Sequence, residues 1–395
     1  MGIDASGRPV PRLAVRWEVL PWGLRFHLRP ARFADGSPVS PEDVVWTFRQ
    51  IQSTTDASPV KKALLVGVEV SGSDRQVEVR TRRPAERTLF ELARIPIARR
   101  GDPGMGSGPY RMAREGAGWR FVAREHFLEP RIQAFRFRLV GEPQAILLWL
   151  RKGWLSIGVP PPRAGSGPPA THREVLQPTH AQLVVWCRGP NDPLRWLERW
   201  RKEAFPPALL GAGAVPSRGL WPESLGFAPA PLAGTPARAQ GQRWELLHVA
   251  GDEFVTNALL ALRERARRDG VTLDLRPVDP ALLHSRLQAG AFHLACTLAL
   301  FDPHPWSVLE YLEPQGPMNF TGWTHPDLPR LLAGLRAPGG PAWTALQAAW
   351  AGTAAALPLL DYRVSVWVDR RLQVQPSALG LYLTTPGPAG WRWVP

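Results

Sequence analysis

The chain has 395 residues, about twice the usual single-domain size, so two lobes or domains are expected. Hydrophobic residues at 44% and charged residues at 21% exclude a disordered or fibrous protein despite 43 Pro and 36 Gly. The net charge of +14 suits an acidic partner, yet four of the 48 basic residues are Lys and the rest are Arg scattered in ones and twos (Arg82-Arg83, Arg99-Arg100, Arg370-Arg371), which argues against nucleic-acid binding by this chain.

In chain order, Met1 to Arg12 lacks a basic segment followed by an apolar stretch, so no secretory signal peptide is expected in the chain. From Trp17 a hairpin is predicted: Leu24, Phe26 and Leu28 point one way and Arg25, His27 and Arg29 the other, after a Leu20-Pro21-Trp22-Gly23 turn. Asp35-Gly36 makes a turn. Ser40-Pro41-Glu42-Asp43 then opens a helix with Ser at the N-cap, Pro at the first position and acids facing the positive end of the dipole. Val44, Val45, Phe48 and Ile51 supply its buried stripe. A second hairpin runs through Val66, Val68 and Val70, turns at Gly72-Ser73-Asp74 and returns through Val77 and Val79.

Gly104, Gly106 and Gly108 lack the third Gly that would open a helix in a dinucleotide loop, and Pro109-Tyr110 point to a strand instead. Trp119 to Arg124 and Phe135 to Leu139 read as paired strands, and Gln144 to Gly153 as a short helix. Residues 158–170 and 226–241 are Pro/Gly-rich connectors, with Leu183 to Trp186 a short apolar strand between them. A βαβ pattern follows: a strand from Arg243, a helix from Phe254 to Arg268 closed by Gly270, a strand through Val271, Leu273 and Leu275, and a helix through Leu282, Leu283 and Leu287. The arginines at 263 to 268 belong at the negative end of that helix dipole and read as a solvated helix end rather than a phosphate site. The most apolar stretch, Trp343 to Leu360, is broken by Gln347, Gly352, Thr353 and Pro358; it reads as a core-facing helix with Trp343, Leu346, Trp350, Ala354 and Leu357 on one face, so no membrane span is expected. Cys187 and Cys296, without a CxxC or a nearby His pair, read as buried thiols.

Three ordered segments carry a resemblance. The runs Leu13 to Val19, Phe26 to Pro30 and Phe33 to Phe48 give "LA-x-x-W-E", "F-x-LR" and "F-x-DG-x-P-x-x-x-EDV", and Gly106 to Tyr110 is similar to "GTGPY". Together they resemble the family 5 extracellular solute-binding proteins, the peptide, nickel and oligosaccharide receptors of ABC importers. The segment 267–295 resembles the family's "GI-x-V-x-L" unit, with His293 where Asp is usual, and Asn319 to Asp327 matches "N-x-x-G-x-x-x-P-x-x-D".

The resemblance implies an α/β, two-lobed periplasmic-binding-protein-like fold (type II, cluster C), with mixed sheets, flanking helices and a hinge between lobes. The expected division is 1–103 and 104–185 for the two parts of lobe I, 186–360 for lobe II, and 361–395 as the return to lobe I. In peptide-binding members an Asp in "D-Y-x-x-P" neutralises the peptide's amino terminus; here an ungapped match puts Phe301 at that position, and Asp302 takes it with a one-residue slip. Asp302, Trp306, Trp186, Asn319, Trp323 and Tyr110 are the ligand-binding candidates, aromatic faces suiting apolar groups and Arg suiting anions.

The expected function is solute binding for an ABC permease and ATPase, as a monomer outside the cytoplasm, with no cofactor and no metal. No HExxH, GxSxG or Walker sequence occurs and the nine His are dispersed, so catalysis has no ordered motif to rest on. The chain as given starts almost at the "LA-x-x-W" segment, and residues 372–394 look more like the binding domain of sugar-phosphate-stress transcription regulators. The alternative is therefore a cytoplasmic ligand-sensing domain without its winged helix-turn-helix.

Overall fold

The structure is a computed structural model that describes residues 1–4, 8–54, 62, 64–125, 132–138, 140, 143–160, 167–189, 192–205, 214–222, 225, 227, 241–301, 304–314, 316–335, 340–353, 355–374 and 391–393. Most of the two Pro/Gly-rich connectors and of the 372–394 ending lies outside them, as does Asp302. The chain divides into two compact units: 1–158, 167–175 and 367–395 form the first, and 159–166 with 176–366 form the second.

Unit 1 contains a four-stranded antiparallel sheet. Strands β1 (Ala14–Leu20) and β2 (Gly23–Leu28) form the first hairpin. Gly23 at the turn has φ +145°, and a Cβ there would meet Val79 O at 2.1 Å, so only glycine fits. Helix α1 (Pro41–Ser53) follows, with β3 (Glu69–Ser73) and β4 (Gln76–Arg80) completing the sheet in the order β1-β2-β4-β3. The second hairpin differs from expectation: its turn is Asp74-Arg75, both at positive φ, and Val66 is exposed ahead of β3. Positive φ at both central residues is the type I′ hairpin turn, whose twist suits antiparallel strands. Leu24, Phe26, Val77 and Val79 pack on Val44 and Phe48 of α1 and on Leu89 and Leu92 of α2 (Ala85–Ala93).

Asp43 in the first turn of α1 is buried. Its Oδ2 accepts from Ser40 N at 2.8 Å and Ser40 Oγ at 3.0 Å, and its Oδ1 accepts from Arg100 N at 2.9 Å. That accounts for an acid in this position as a helix start tied to a distant loop. Strands β5 (Tyr110–Glu115), β6 (Gly118–Ala123) and β7 (Ala134–Arg138) form a three-stranded antiparallel sheet, and α3 (Pro143–Arg151) follows.

Strand β8 (His172–Cys187) is longer than the segment read from Leu183 to Trp186, and the change of unit at 175/176 falls inside it. Helix α4 (Asp192–Ala204) and β9 (Ala214–Pro216) lead to β10 (Arg243–Val249), α5 (Glu253–Arg268), β11 (Thr272–Val278), α6 (Pro280–Ala289) and β12 (Leu294–Leu300). Helices α7 (Leu328–Gly334) and α8 (Pro341–Thr353) precede β13 (Ala356–Asp369), which contains the change of unit at 366/367. The sheet runs β13-β8-β12-β10-β11, with β9 and Ile157–Gly158 also paired to β13. Strand β10 is parallel to β11 and β12, and β8 is antiparallel to β12.

The single helix expected over Trp343 to Leu360 is instead a helix ending at Thr353 and a strand from Ala356. Pro358 has no N–H for a helical hydrogen bond, and Leu357, Leu359 and Leu360 are buried in the sheet. Both cysteines are free and buried; burial pushes the Cys187 thiol up to about 12 and raises that of Cys296 as well. The arginines at the end of α5 are paired as expected for a solvated helix end: Arg265 with Glu203 at 2.6 Å and Asp269 at 2.8 Å, Arg267 with Glu264 at 2.9 Å.

Candidate functional site

Five of the expected site residues lie within the described residues. Tyr110 is in unit 1 at the start of β5, half-buried, donating from its hydroxyl to Ile132 O at 3.0 Å and packing edge-to-face on Phe135 with centroids 5.0 Å apart. The other four are in unit 2. Trp186 is 2% exposed, stacks on Tyr311 at 5.4 Å, meets Phe320 edge-to-face at 5.7 Å, and donates from Nε1 to Thr297 Oγ1 at 2.7 Å. Trp306 is 3% exposed, between His304 and Trp343. Trp323 is 6% exposed against Trp350 and donates from Nε1 to Thr353 Oγ1 at 2.7 Å.

The three indoles were expected to offer their faces to a ligand. Their faces are instead spent on neighbouring rings, because a ring buried in a close-packed core gains more contact there than at a wet surface. Asn319 is consumed by its own loop. Its Nδ2 donates to Glu313 O and Trp323 O, at 3.1 and 2.9 Å, and its Oδ1 accepts from Trp323 N at 3.0 Å. Gly322, at φ +67°, completes that turn, so the Asn-x-x-Gly spacing encodes loop geometry.

A different set of groups meets at an open sheet end. Strands β10, β11 and β12 are parallel, so their carboxyl ends share one edge, where open α/β sheets bind ligands. Strand β10 leads to Asp252, whose side chain is exposed and accepts from Val255 N at 3.0 Å to cap α5. Phe254 packs edge-to-face on Tyr362 of β13, with centroids 5.0 Å apart. The Tyr362 hydroxyl is pushed above its ordinary range by burial first and then by Asp252 and Cys296, so it stays a phenol able to donate. On β12, Leu298 and Leu300 are 44% and 63% exposed. The pairing of β10 with β12 ends at His248 opposite Cys296, two residues before Leu298.

This edge offers a carboxylate, a phenol donor, an aromatic pair and exposed aliphatics. Such a set holds a solute with a positive or donor group and an apolar body. Among the described residues no group of three His, Cys, Asp or Glu is placed to hold a metal ion, and the neighbouring Cys296 is a protonated thiol rather than a nucleophile. Sequence reasoning missed Asp252, Phe254 and Tyr362. The helix start at Asp252 was the available signal, but its partner Tyr362 is distant in the chain and nothing local connects them.

No curated protein sequence matches the chain. Residues 8–175 match the family described as bacterial extracellular solute-binding proteins, family 5 Middle. Among solved structures, the chain is similar to the ABC transporter substrate-binding protein CtaP from Listeria monocytogenes, with TM-score 0.79 and 17% identity over 100% of this chain and 92% of that one. It is also similar to the oligopeptide-binding protein AppA from Bacillus subtilis, solved in complex with a nonapeptide, with TM-score 0.77 and 12% identity over 100% of this chain and 92% of that one. A third is NikA from Brucella suis, in complex with Fe(III)-EDTA, with TM-score 0.77 and 14% identity over 96% of this chain and 90% of that one. Residues 8–175 are thus similar to the family 5 bacterial extracellular solute-binding proteins, and over its whole length the chain has the two-lobed α/β fold of these solved structures.

Proposed function

We propose that this chain is the substrate-binding protein of an ABC importer, taking a peptide-like or other small solute and delivering it to a permease and its ATPase as a monomer outside the cytoplasm. The observation that carries the reading is the agreement of the fold along the whole chain with substrate-binding proteins, together with the family match over 8–175. We assign solute contact in unit 2 to Asp252, Phe254, Tyr362, Leu298 and Leu300, with Asp302, which follows β12, as a further contact. The buried indoles of Trp186, Trp306 and Trp323 then serve the core of unit 2, and Tyr110 is the contact proposed for unit 1.

Thermal-shift screening against peptides, oligosaccharides, sugar phosphates and metal chelates tests this. A ligand present at one hundred times its Kd stabilises the folded state by about 2.7 kcal/mol, a shift of several degrees. One class of solute is expected to give it. No shift with any class, from folded protein, would overturn the receptor reading. Asp252→Asn keeps a good helix cap while removing the charge, so it should leave the unliganded melting temperature unchanged and weaken a cationic solute about tenfold. Unchanged affinity in Asp252→Asn removes that residue from the site, and Asp302→Ala reports on the second carboxylate in the same way.

A further inference from the structure

Unit 1 encloses a second opening, independent of the edge described above. A cavity of about 1180 Å³ lies between the inner face of the four-stranded sheet, α1, the end of α2, residues 95–97 and residues 107–109. It is larger than the usual small-molecule pocket of about 300–1,000 Å³. Its floor is aliphatic and aromatic, with Phe26, Val44, Phe48, Val77, Val79 and Leu92 all contributing.

Its polar groups are of one sign. Arg12, Arg29, Arg32, Arg75 and Arg124 line it, and no Asp or Glu does. Three of these are brought side by side by backbone hydrogen bonds at one end of the sheet: Arg29 N donates to Leu13 O at 3.0 Å, next to Arg12, and Leu28 N donates to Arg75 O at 2.8 Å. Arg124 is buried at the opposite wall, where its guanidinium donates to the carbonyls of Gly108, Arg32 and Phe33 at 2.9, 3.0 and 2.7 Å. Arg29 and Arg75 make no side-chain hydrogen bond or ion pair among the described residues, and both are exposed at the mouth. Arginines lining one cavity without a carboxylate, above an apolar floor, complement an anion that carries a hydrocarbon body.

We propose that the unit 1 cavity binds an amphiphilic anion, a carboxylate carrying an acyl-sized apolar chain, with the head group on Arg29 and Arg75 and the chain over Phe26, Phe48 and Val79. The rim arginines set the sign of the ligand and the floor sets its length.

The probe is dodecanoate, titrated into the whole chain by calorimetry below its micellar concentration, with decyl maltoside and dodecyltrimethylammonium as neutral and cationic amphiphiles. Saturable binding of dodecanoate, at least tenfold tighter than either control, is expected. Arg29→Gln with Arg75→Gln should weaken dodecanoate about tenfold and leave decyl maltoside unchanged, while Ala93→Phe, which fills the half-buried wall, should weaken both. Equal affinity for all three amphiphiles, or no binding by folded protein, overturns the proposal. So does dimerisation that Ala93→Phe abolishes while dodecanoate has no effect, which would make the cavity a seat for a second copy of the chain.

Discussion

The two units fill their interiors differently. In unit 2 the core is built on large rings: Trp186, Trp200, Trp221, Trp244, Trp306, Trp323, Trp343 and Trp350 are all buried, in runs such as Trp196-Trp200-Trp244 and Phe227-Trp343-Trp306. The main cluster of unit 1 is made of Leu, Val, Ile and Phe, and next to it lies the cavity of about 1180 Å³. Individual arginines also differ between the units. In unit 2, Arg201 is buried and its terminal nitrogens donate to Glu198 and to the carbonyls of Ser217 and Pro358, while its Nε has no hydrogen-bond partner among the described residues, whereas Arg29 and Arg75 of unit 1 are exposed. A buried guanidinium draws its partners from the fold, and an exposed one leaves them to solvent.

The largest effect that would break this contrast comes from the rings. Trp200 is fully buried and donates to Asp269 Oδ2 at 2.8 Å, so Trp200→Ala should cost about 3–5 kcal/mol in urea unfolding. Leu92→Ala, which only enlarges the existing cavity of unit 1, should fall near the lower end of the range for buried leucine, about 2 kcal/mol. Equal losses would mean that the two interiors are equally tight.

A second effect depends on pH. His304 stacks on Trp306 at 6.3 Å and accepts from its backbone N at 3.3 Å, and burial lowers its pKa to about 4. The folded state therefore binds its proton less readily than the unfolded state does. Stability from this group is present above pH 6.5 and is lost as the pH falls toward 4, by up to about 3 kcal/mol. Urea midpoints measured between pH 7.5 and 4 should decline, and His304→Gln should flatten that decline; an unchanged slope would show that the ring is open to water. Smallest of all, removing the exposed Arg267–Glu264 pair through Arg267→Ala should change stability by less than about 0.5 kcal/mol.

The sequence made local elements readable. The hairpin at Leu24 to Leu28, the Ser40-Pro41 helix start and the βαβ unit after Arg243 each declare themselves through period and caps within a few residues. The length of β8 was not legible, since Pro178, just past the change of unit, reads as a break rather than as the middle of a strand. The switch from helix to strand after Thr353 was hidden because an apolar run suits either state until tertiary packing decides. For the site, composition supplied the indoles but could not say whether their faces would be wet, and Asp252 with Tyr362 becomes a site only when the sheet closes. The cavity is equally invisible, being walled by segments around 13, 28, 75, 95 and 108.

The two strands that change unit midway bear on how the protein is made. Residues 176–366 of unit 2 sit between two parts of unit 1, and unit 1 also includes residues after 366. On the ribosome the interior unit therefore has nearly all its residues available before the first unit does, although the first unit is begun earlier. The segment 8–175 that carries the family match also stops inside β8, short of the residues Ala181 to Cys187 that pair with β12. Expressed alone it would leave that strand cut and the rest of its sheet unmade.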